Sequence, residues 1–424
     1  MDKTYGRVTS GYHGERSSMA QAASEQSVPA HVPAELVRQF NFSDYSGTAD
    51  ALQATVDAAR EMPDIFWGTG AHSRYSGAWV LTRHELQREV LQDTDSFSSR
   101  DTAGLSGLIG ETWPLLPLEA DGLDHGEWRK LLNPIFSPAR MAVMEEKIAA
   151  LAHQLVGGLA AKGETEFMSE FAQVFPVQIF LEMFGLPLEQ TRMFVTWEDG
   201  MLHGDSLEVK SASAGAIIAH LRAVIEDRIQ SPRDDLISYV AQARVNGAAL
   251  TADQRIGVCM LLYTAGIDTV ANMLGFIFRH LAENPDKQQS LRADPSLIPA
   301  AVEEMLRAFP IVMTSRVATR DVTFHGIQIK AGDHVMVPTH FAGRDGNEFA
   351  DPDRIDFART KVSHITFAAG PHRCIGSHLA RRELKLAIET WLDRVPPFRI
   401  APGHVFKTTA QGVLTIKALP LVWN

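Results

Sequence analysis

The sequence predicts a mainly α fold, a single large domain with a small β-rich part. Runs with apolar residues at helical spacing follow one another along the chain, separated by Gly, Pro or Asp. One of them, Asp253 to Glu283, is apolar on nearly every side from Val258 to Phe278, the pattern of a central buried helix. The strand candidates are short and most gather in the last third. With 424 residues, 45% hydrophobic and 21% charged, the chain has material for a large core. Length alone allows about two or three domains, but no Pro/Ser-rich linker interrupts the middle. Residues 31–424 are therefore read as one domain. Residues 1–30, rich in Ser, Gln, Ala and Gly, are read as a mobile tail.

Order is expected from His31-Val32-Pro33 onward. Thr48 to Glu61 has helical spacing and is stopped by Pro63. Ala78 to Thr82 is a strand candidate and Arg83 to Leu91 a helix. Ser98 to Gly122 reads as a long loop containing Trp113, of a length that often forms a lid or substrate wall. His125 to Arg129 opens the next helix and puts those two residues on one face. Helices follow at Pro138–Gly158, Phe167–Phe184, Leu188–Leu202, Ser211–Gln230 and Asp234–Ala243. The break from Met201 to Leu207 is the least helical part and is placed to cap a pocket.

The long buried pattern breaks its own rules at Ala265-Gly266-Ile267-Asp268-Thr269. A mid-helix Gly costs about 1 kcal/mol against Ala, and an adjacent Asp and Thr cost more unless satisfied. Such a place marks a functional or strained site. The plainer account is a Thr bonded back to the carbonyl four residues earlier and an Asp capping a neighbour. Glu304 and Arg307 sit three apart in a later helix, by themselves an ordinary surface pair. Strand candidates lie at Arg316–Ala318, Val322–Phe324, Ile327–Ile329, His334–Val337, Gly412–Lys417 and Leu419–Trp423.

Composition excludes several classes. Cys259 and Cys374 are the only cysteines, which rules out a disulfide scaffold, fits a reducing cytoplasm and leaves a zinc site short of ligands. No run of about 18 uninterrupted apolar residues predicts a membrane span, and the N-terminus lacks the apolar stretch of a signal peptide. A net charge of −11 argues against a nucleic-acid partner.

The most informative stretch is Phe367-Ala368-Ala369-Gly370-Pro371-His372-Arg373-Cys374-Ile375-Gly376, followed by the helix-forming run Ser377 to Lys385. A Gly/Pro-rich loop delivers a cysteine to a helix start, where free N–H groups and the helix dipole favour a thiolate. Gly370 and Gly376 let a flat, bulky group approach the backbone. His372 and Arg373 add donors. A lone cysteine is otherwise most often a buried, inert one.

This stretch resembles the heme-binding loop of the cytochrome P450 superfamily, Phe-Gly-x-Gly-x-His/Arg-x-Cys-x-Gly, with Ala368 where the pattern has Gly. Ala265 to Thr269 resembles the family's oxygen-binding groove, His125 to Arg129 its helical His-x-x-x-Arg, and Glu304 to Arg307 its Glu-x-x-Arg. Ala380 to Glu383, Pro396 to Gly403 and Ala418 to Trp423 look like the bacterial camphor hydroxylase group. The resemblance implies the cytochrome P450 fold and a soluble, cytoplasmic, bacterial-type monooxygenase with heme b (iron protoporphyrin IX). Cys374 would be the axial iron ligand. Phe367, Gly370, Gly376 and Gly266 would shape the cofactor site, and His372, Arg316, His125 and Arg129 would hold it. Glu304 and Arg307, joined by Arg354, would fix the fold around the loop. Asp268 and Thr269 would deliver protons.

The implied reaction inserts one atom of O2 into a C–H bond. Electrons would come from a [2Fe–2S] ferredoxin fed by an NADH-dependent reductase and docked on the basic run Lys361, Arg373, Arg381, Arg382 and Lys385. Such a run is otherwise plain solvated surface. Trp113 matches the place of the camphor hydroxylases' ketone-binding tyrosine. With Leu261, Thr264, Val312, Thr314 and Val413 it would line an apolar pocket for a monoterpenoid or norisoprenoid. Cineole or ionone is expected to bind better than camphor, unless Trp113 only packs the loop. A peroxide-driven heme-thiolate enzyme and a non-catalytic heme sensor are the alternatives; the acid–alcohol pair speaks against the first.

Overall fold

The computed structural model describes residues 28–423 apart from 73, 76 and 101. All but the last three residues of the expected 1–30 tail lie outside the described residues. Thirteen α-helices are found among the described residues. They are α1 (Ala51–Arg60), α2 (His84–Gln92), α3 (Gly122–Leu132), α4 (Pro138–Ala160), α5 (Val174–Phe184), α6 (Thr191–His203), α7 (Leu207–Gln230), α8 (Leu236–Gln242), α9 (Ala252–Glu283), α10 (Pro285–Ala293), α11 (Ile298–Ala308), α12 (Thr339–Gly343) and α13 (Ser377–Arg394). The main sheet uses β1 (Val37–Gln39), β2 (Ile65–Thr69), β3 (Ala78–Leu81) and β4 (Phe97–Ser98) from the N-terminal part. After β5 (Glu164–Glu166), β6 (Arg244–Val245) and β7 (Ala248–Ala249) it adds β8 (Met313–Ala318). Then come β9 (Val322–Phe324), β10 (Ile327–Ile329), β11 (His334–Pro338), β12 (Phe398–Ile400), β13 (Thr408–Gln411), β14 (Val413–Ile416) and β15 (Pro420–Trp423).

Helix α9 is the axis of the fold. Thr251 caps it in a capping box with Gln254, which satisfies two free N–H groups at its start. Its first half, Ile256 to Ile267, packs into an apolar cluster with α5, α6, α7 and α8. Its second half, Val270 to Ala282, packs into another with α4, α11, α13 and the C-terminal strands. The irregular Ala265 to Thr269 stretch lies where the two cores meet. Helix α9 is long and apolar enough to cross a membrane, but 72% of its most apolar window is buried inside the protein, as a core helix requires.

The six-stranded sheet runs β1-β2-β3-β11-β8-β4. Its parallel pairs, β1 with β2 and β3 with β11, join segments far apart in sequence, so only β3, β8 and β11 announced themselves by local pattern. Helix α7 begins at Leu207, not Ser211, and α6 runs through Met201, so the expected break shrinks to residues 204–206. Met201 is 2% exposed, and its burial extends the helix past the point where periodicity fades. The predicted helix from Phe167 opens with a π turn, Met168–Ala172, before α5.

Candidate active site

The cysteine loop is built by backbone hydrogen bonds. Ala368 N donates to Ile365 O at 2.8 Å, Cys374 N to Phe367 O at 2.8 Å and Arg373 N to Gly370 O at 3.1 Å. Ala368 has φ of 59°, a left-handed conformation costing a residue with a Cβ about 1–2 kcal/mol, which explains why the usual pattern has glycine there. Gly370, also left-handed at 68°, is doubly constrained: a Cβ there would meet Leu91 O at 2.5 Å. Arg381 lies over the Phe367 ring, 4.6 Å from its centroid.

Gly376 caps α13, and its backbone hydrogen-bonds the Cys374 sulfur. Cys374 has accessible surface yet is densely surrounded by protein. Both hold for a sulfur facing an internal space. Burial pushes its thiol up, while the Gly376 hydrogen bond and the charges of Arg129, Arg381 and Arg373 pull it down. Cys259 differs: wholly buried in α9, it is pushed up to about 12 by burial and stays a thiol.

On α9, one stripe is open while the rest is packed. Ala265 and Gly266 are exposed, and Leu261, Thr264 and Thr269 are half-buried between buried neighbours. A Cβ on Gly266 would meet no atom within 4 Å, so the helix borders free space there. Thr269 Oγ1 donates to Ala265 O at 2.8 Å. The back-bonded threonine is therefore real, and it leaves the hydroxyl oxygen free to accept. Asp268 is buried, and its Oδ1 receives Asn272 Nδ2 at 2.8 Å and faces His203 Nε2 at 3.2 Å.

A third group gathers donors from three segments. The rings of His125 (α3) and His372 (loop) lie 4.0 Å apart. Arg316 (β8) is 2% exposed and donates Nη1 to Ser315 O at 2.7 Å. Arg129 donates Nη1 to Arg373 O at 2.7 Å. Asp121, missed in the sequence, accepts from Ser99 N at 3.0 Å and Ser98 Oγ at 2.5 Å, and lies 3.9 Å from His372 Nε2. Burial, then the neighbouring His125 and Arg316, hold His372 down to about 3. Burial and Arg129 lower His125, and burial lowers Arg316 to about 10. His125 Nε2, His372 Nε2 and Arg316 Nε are buried with no hydrogen-bond partner. Leaving such groups unpaired costs about 1–3 kcal/mol each, so the cluster is built to receive an anionic ligand.

The cytochrome P450 profile matches residues 183–403. The Sinorhizobium fredii protein named "Probable cytochrome P450 127A1" is 39% identical over 93% of this chain and 97% of its own length. The chain belongs to the cytochrome P450 family. The steroid C26-monooxygenase of Mycobacterium tuberculosis is 33% identical over 75% of this chain and 89% of its own. Among solved structures, the cytochrome P450 CYP101C1 superposes with a TM-score of 0.85 at 32% identity, covering 94% of this chain and 100% of that one. CYP101J2 follows at 0.83 and 33%, covering 94% and 99%. The fold is that of a P450.

P450 monooxygenases bind heme b, and the residues here fit it. A flat apolar group needs an open stripe on a buried helix, a reachable sulfur and partners for two carboxylates. The α9 stripe, Cys374 and the three orphaned donors are those features. Two surface grooves, of about 660 and 330 Å³, contain none of the candidate residues.

Two expectations are corrected. Arg354 is not the third member of the Glu304–Arg307 pair. Its guanidinium is 68% exposed and pairs with Asp356; only its carbonyl meets Arg307, at 3.2 Å. The third member is Arg359, five residues on, whose Nε reaches both Glu304 oxygens at 3.1 Å. Nor is Trp113 a free donor. Its indole N–H goes to Glu111, which also takes Arg222 of α7, and the ring is packed in the α5–α9 cluster. The other pocket candidates divide. Leu261 and Thr264 lie on the open stripe, Val312 and Val413 pair across an isolated bridge, and Thr314 Oγ1 accepts from Arg316 at 3.2 Å.

Proposed function

We propose that residues 31–424 form a single cytoplasmic catalytic domain that hydroxylates a small, hydrophobic, terpenoid-like substrate. Two electrons would come from a [2Fe–2S] ferredoxin and an NADH-dependent reductase, as the resemblance to the camphor hydroxylase group suggests. The observation that carries the reading is Thr269 on the open stripe of α9, with Asp268 buried one residue before it and held by Asn272 and His203. Bound through Cys374, heme supplies the O2 and C–H chemistry.

The chain's own residues do the rest. Cys374, held at the start of α13 by Gly376, is the thiolate ligand. His125, His372, Arg316 and Arg129 receive the carboxylate tails, and Phe367, Gly370, Gly376 and Gly266 shape the slot. Asn272 orients the Asp268 carboxylate, whose role is to pass protons toward Thr269. The Thr269 hydroxyl, tethered to Ala265 O, accepts at a fixed position. Leu261, Thr264, Val312, Thr314 and Val413 hold substrate by shape and keep water out.

The test is turnover with ferredoxin, reductase and NADH against a small terpenoid panel. Cys374→His should lose the thiolate-type ferrous–CO band, and Cys259→Ala should keep it. Thr269→Ala should keep consuming NADH but divert it to peroxide. A peroxide-only reaction, or an unchanged product-to-NADH ratio in Thr269→Ala, would refute the reading.

A further inference from the structure

The partner that Asp268 meets on its outer side is a histidine. His203 closes α6, and its Nε2 lies 3.2 Å from Asp268 Oδ1. The His203 side chain is 24% exposed and that of Asp268 11%, so the contact leads from near solvent toward the interior. Asn272 holds the same Oδ1 from the other side, which fixes the carboxylate facing the ring. The last turn of a helix favours a cation, because its free carbonyls carry partial negative charge.

The surroundings leave this contact to the two groups. Glu198, also on α6, is buried against Asp268. Burial, then the Asp268 charge, push its carboxyl well above the usual range. Asp199 on α6, Asp205 in the following turn and Glu208 in α7 are exposed, and Lys210 is half-buried. His220 of α7 packs on Phe194 and Trp197, and burial holds it below its ordinary value. From α5, Glu182 is paired with Lys147.

An Arg or Lys at this place would neutralise Asp268 without being able to release a proton near neutrality. Imidazole can both take and give one there. We propose that His203 is a proton relay for Asp268. A hydronium ion from solvent protonates the outer ring nitrogen and leaves as water, the Nε2–H proton passes to Asp268 Oδ1, and the carboxylate becomes a carboxylic acid one residue before Thr269. The ring is left neutral and no electron moves. His203 is thus a positioning and relay residue, acting through Asp268, and the inference rests on the reading of Asp268 as the proton-delivering acid.

The test compares His203→Gln, which keeps a donor to Asp268 but carries no proton, with Asp268→Asn in the heme-loaded enzyme. His203→Gln should bind substrate as wild type does and show the same ferrous–CO band. Its turnover should fall about a hundredfold, with a larger solvent deuterium isotope effect and a flattened pH profile between about pH 5 and 8. In the ferrous–CO protein, the His203 ring 15N chemical shifts should move when Asp268 becomes Asn, because the 3.2 Å contact to the carboxylate is changed. Should His203→Gln lack the CO band, His203→Asn takes its place. Wild-type turnover and pH profile in His203→Gln beside a slow Asp268→Asn overturn the relay and spare the acid reading. Wild-type turnover in Asp268→Asn overturns both.

Discussion

Arg359 Nε lies 3.1 Å from both carboxylate oxygens of Glu304, and Glu304 in turn holds Arg307 through two contacts of 2.8 Å. Glu304 and Arg307 are 1% and 0% exposed on their side chains and Arg359 12%. Removing one member of such a buried set leaves uncompensated charge, at a cost of about 3–5 kcal/mol. Arg359→Ala should therefore lower the unfolding midpoint sharply and weaken heme retention, while Arg354→Ala should change stability by less than about 0.5 kcal/mol. Urea unfolding and heme absorbance check both; equal effects would restore Arg354.

Acid should weaken the fold through buried imidazoles. His340 is fully buried, with neither ring nitrogen bonded, against Phe42 and Phe341. Burial holds it down to about 3, and His72 and His280 down to about 4. Unfolded imidazole titrates near 6.5. Between these values the unfolded chain binds more protons, so stability falls as pH falls. His340→Phe should reduce the loss between pH 7 and pH 5 by about 2 kcal/mol. Parallel pH curves for the two proteins in chemical unfolding would disprove it.

Glu111 ties the loop before α3 to α7. It accepts the Trp113 indole N–H and the Arg222 guanidinium, whose hydrogen bond comes first in holding its carboxyl below the usual range. The same loop rests on α9 at Gly257, where a Cβ would strike Pro114 O at 2.2 Å. The ion pair is partly exposed and worth about 0–1 kcal/mol. Arg222→Ala should leave stability nearly intact and speed substrate association and dissociation about two- to fivefold, an effect that high salt should mimic in wild type. Stopped-flow spectral titration reads it, and unchanged rates count against a latch.

The basic run near Cys374 is less free than its composition suggests. Arg381 is paired with Glu303, Arg382 and Lys385 with Glu145, and Lys361 with Glu348. Of the five, Arg373 alone has an exposed side chain without a partner among the described residues. Arg373→Glu should slow reduction by an acidic ferredoxin more than Arg382→Glu does, and added salt should shrink the difference. Stopped-flow reduction kinetics decide; equal effects would place the donor elsewhere.

Consecutive residues told the sequence reader most. The cysteine loop, the α9 motif and the helices were legible because their physics is short-range: turn glycines, a cysteine at a helix start and periodicity that reports burial. The sequence by itself thus determined the mainly α fold and the family. Tertiary structure decided which side chains meet across elements. Arg354 and Arg359 are equally cationic and five residues apart, and only the path of the loop past α11 picks Arg359. Trp113 lies on the expected loop, but α7 brings the arginine that commits its neighbour Glu111. His203 carries no local signal; α6 must pack beside α9 before its ring can meet Asp268. Pair interactions fall off within a few ångströms, so long-range partners are set by the packing of whole helices, which local spacing does not encode.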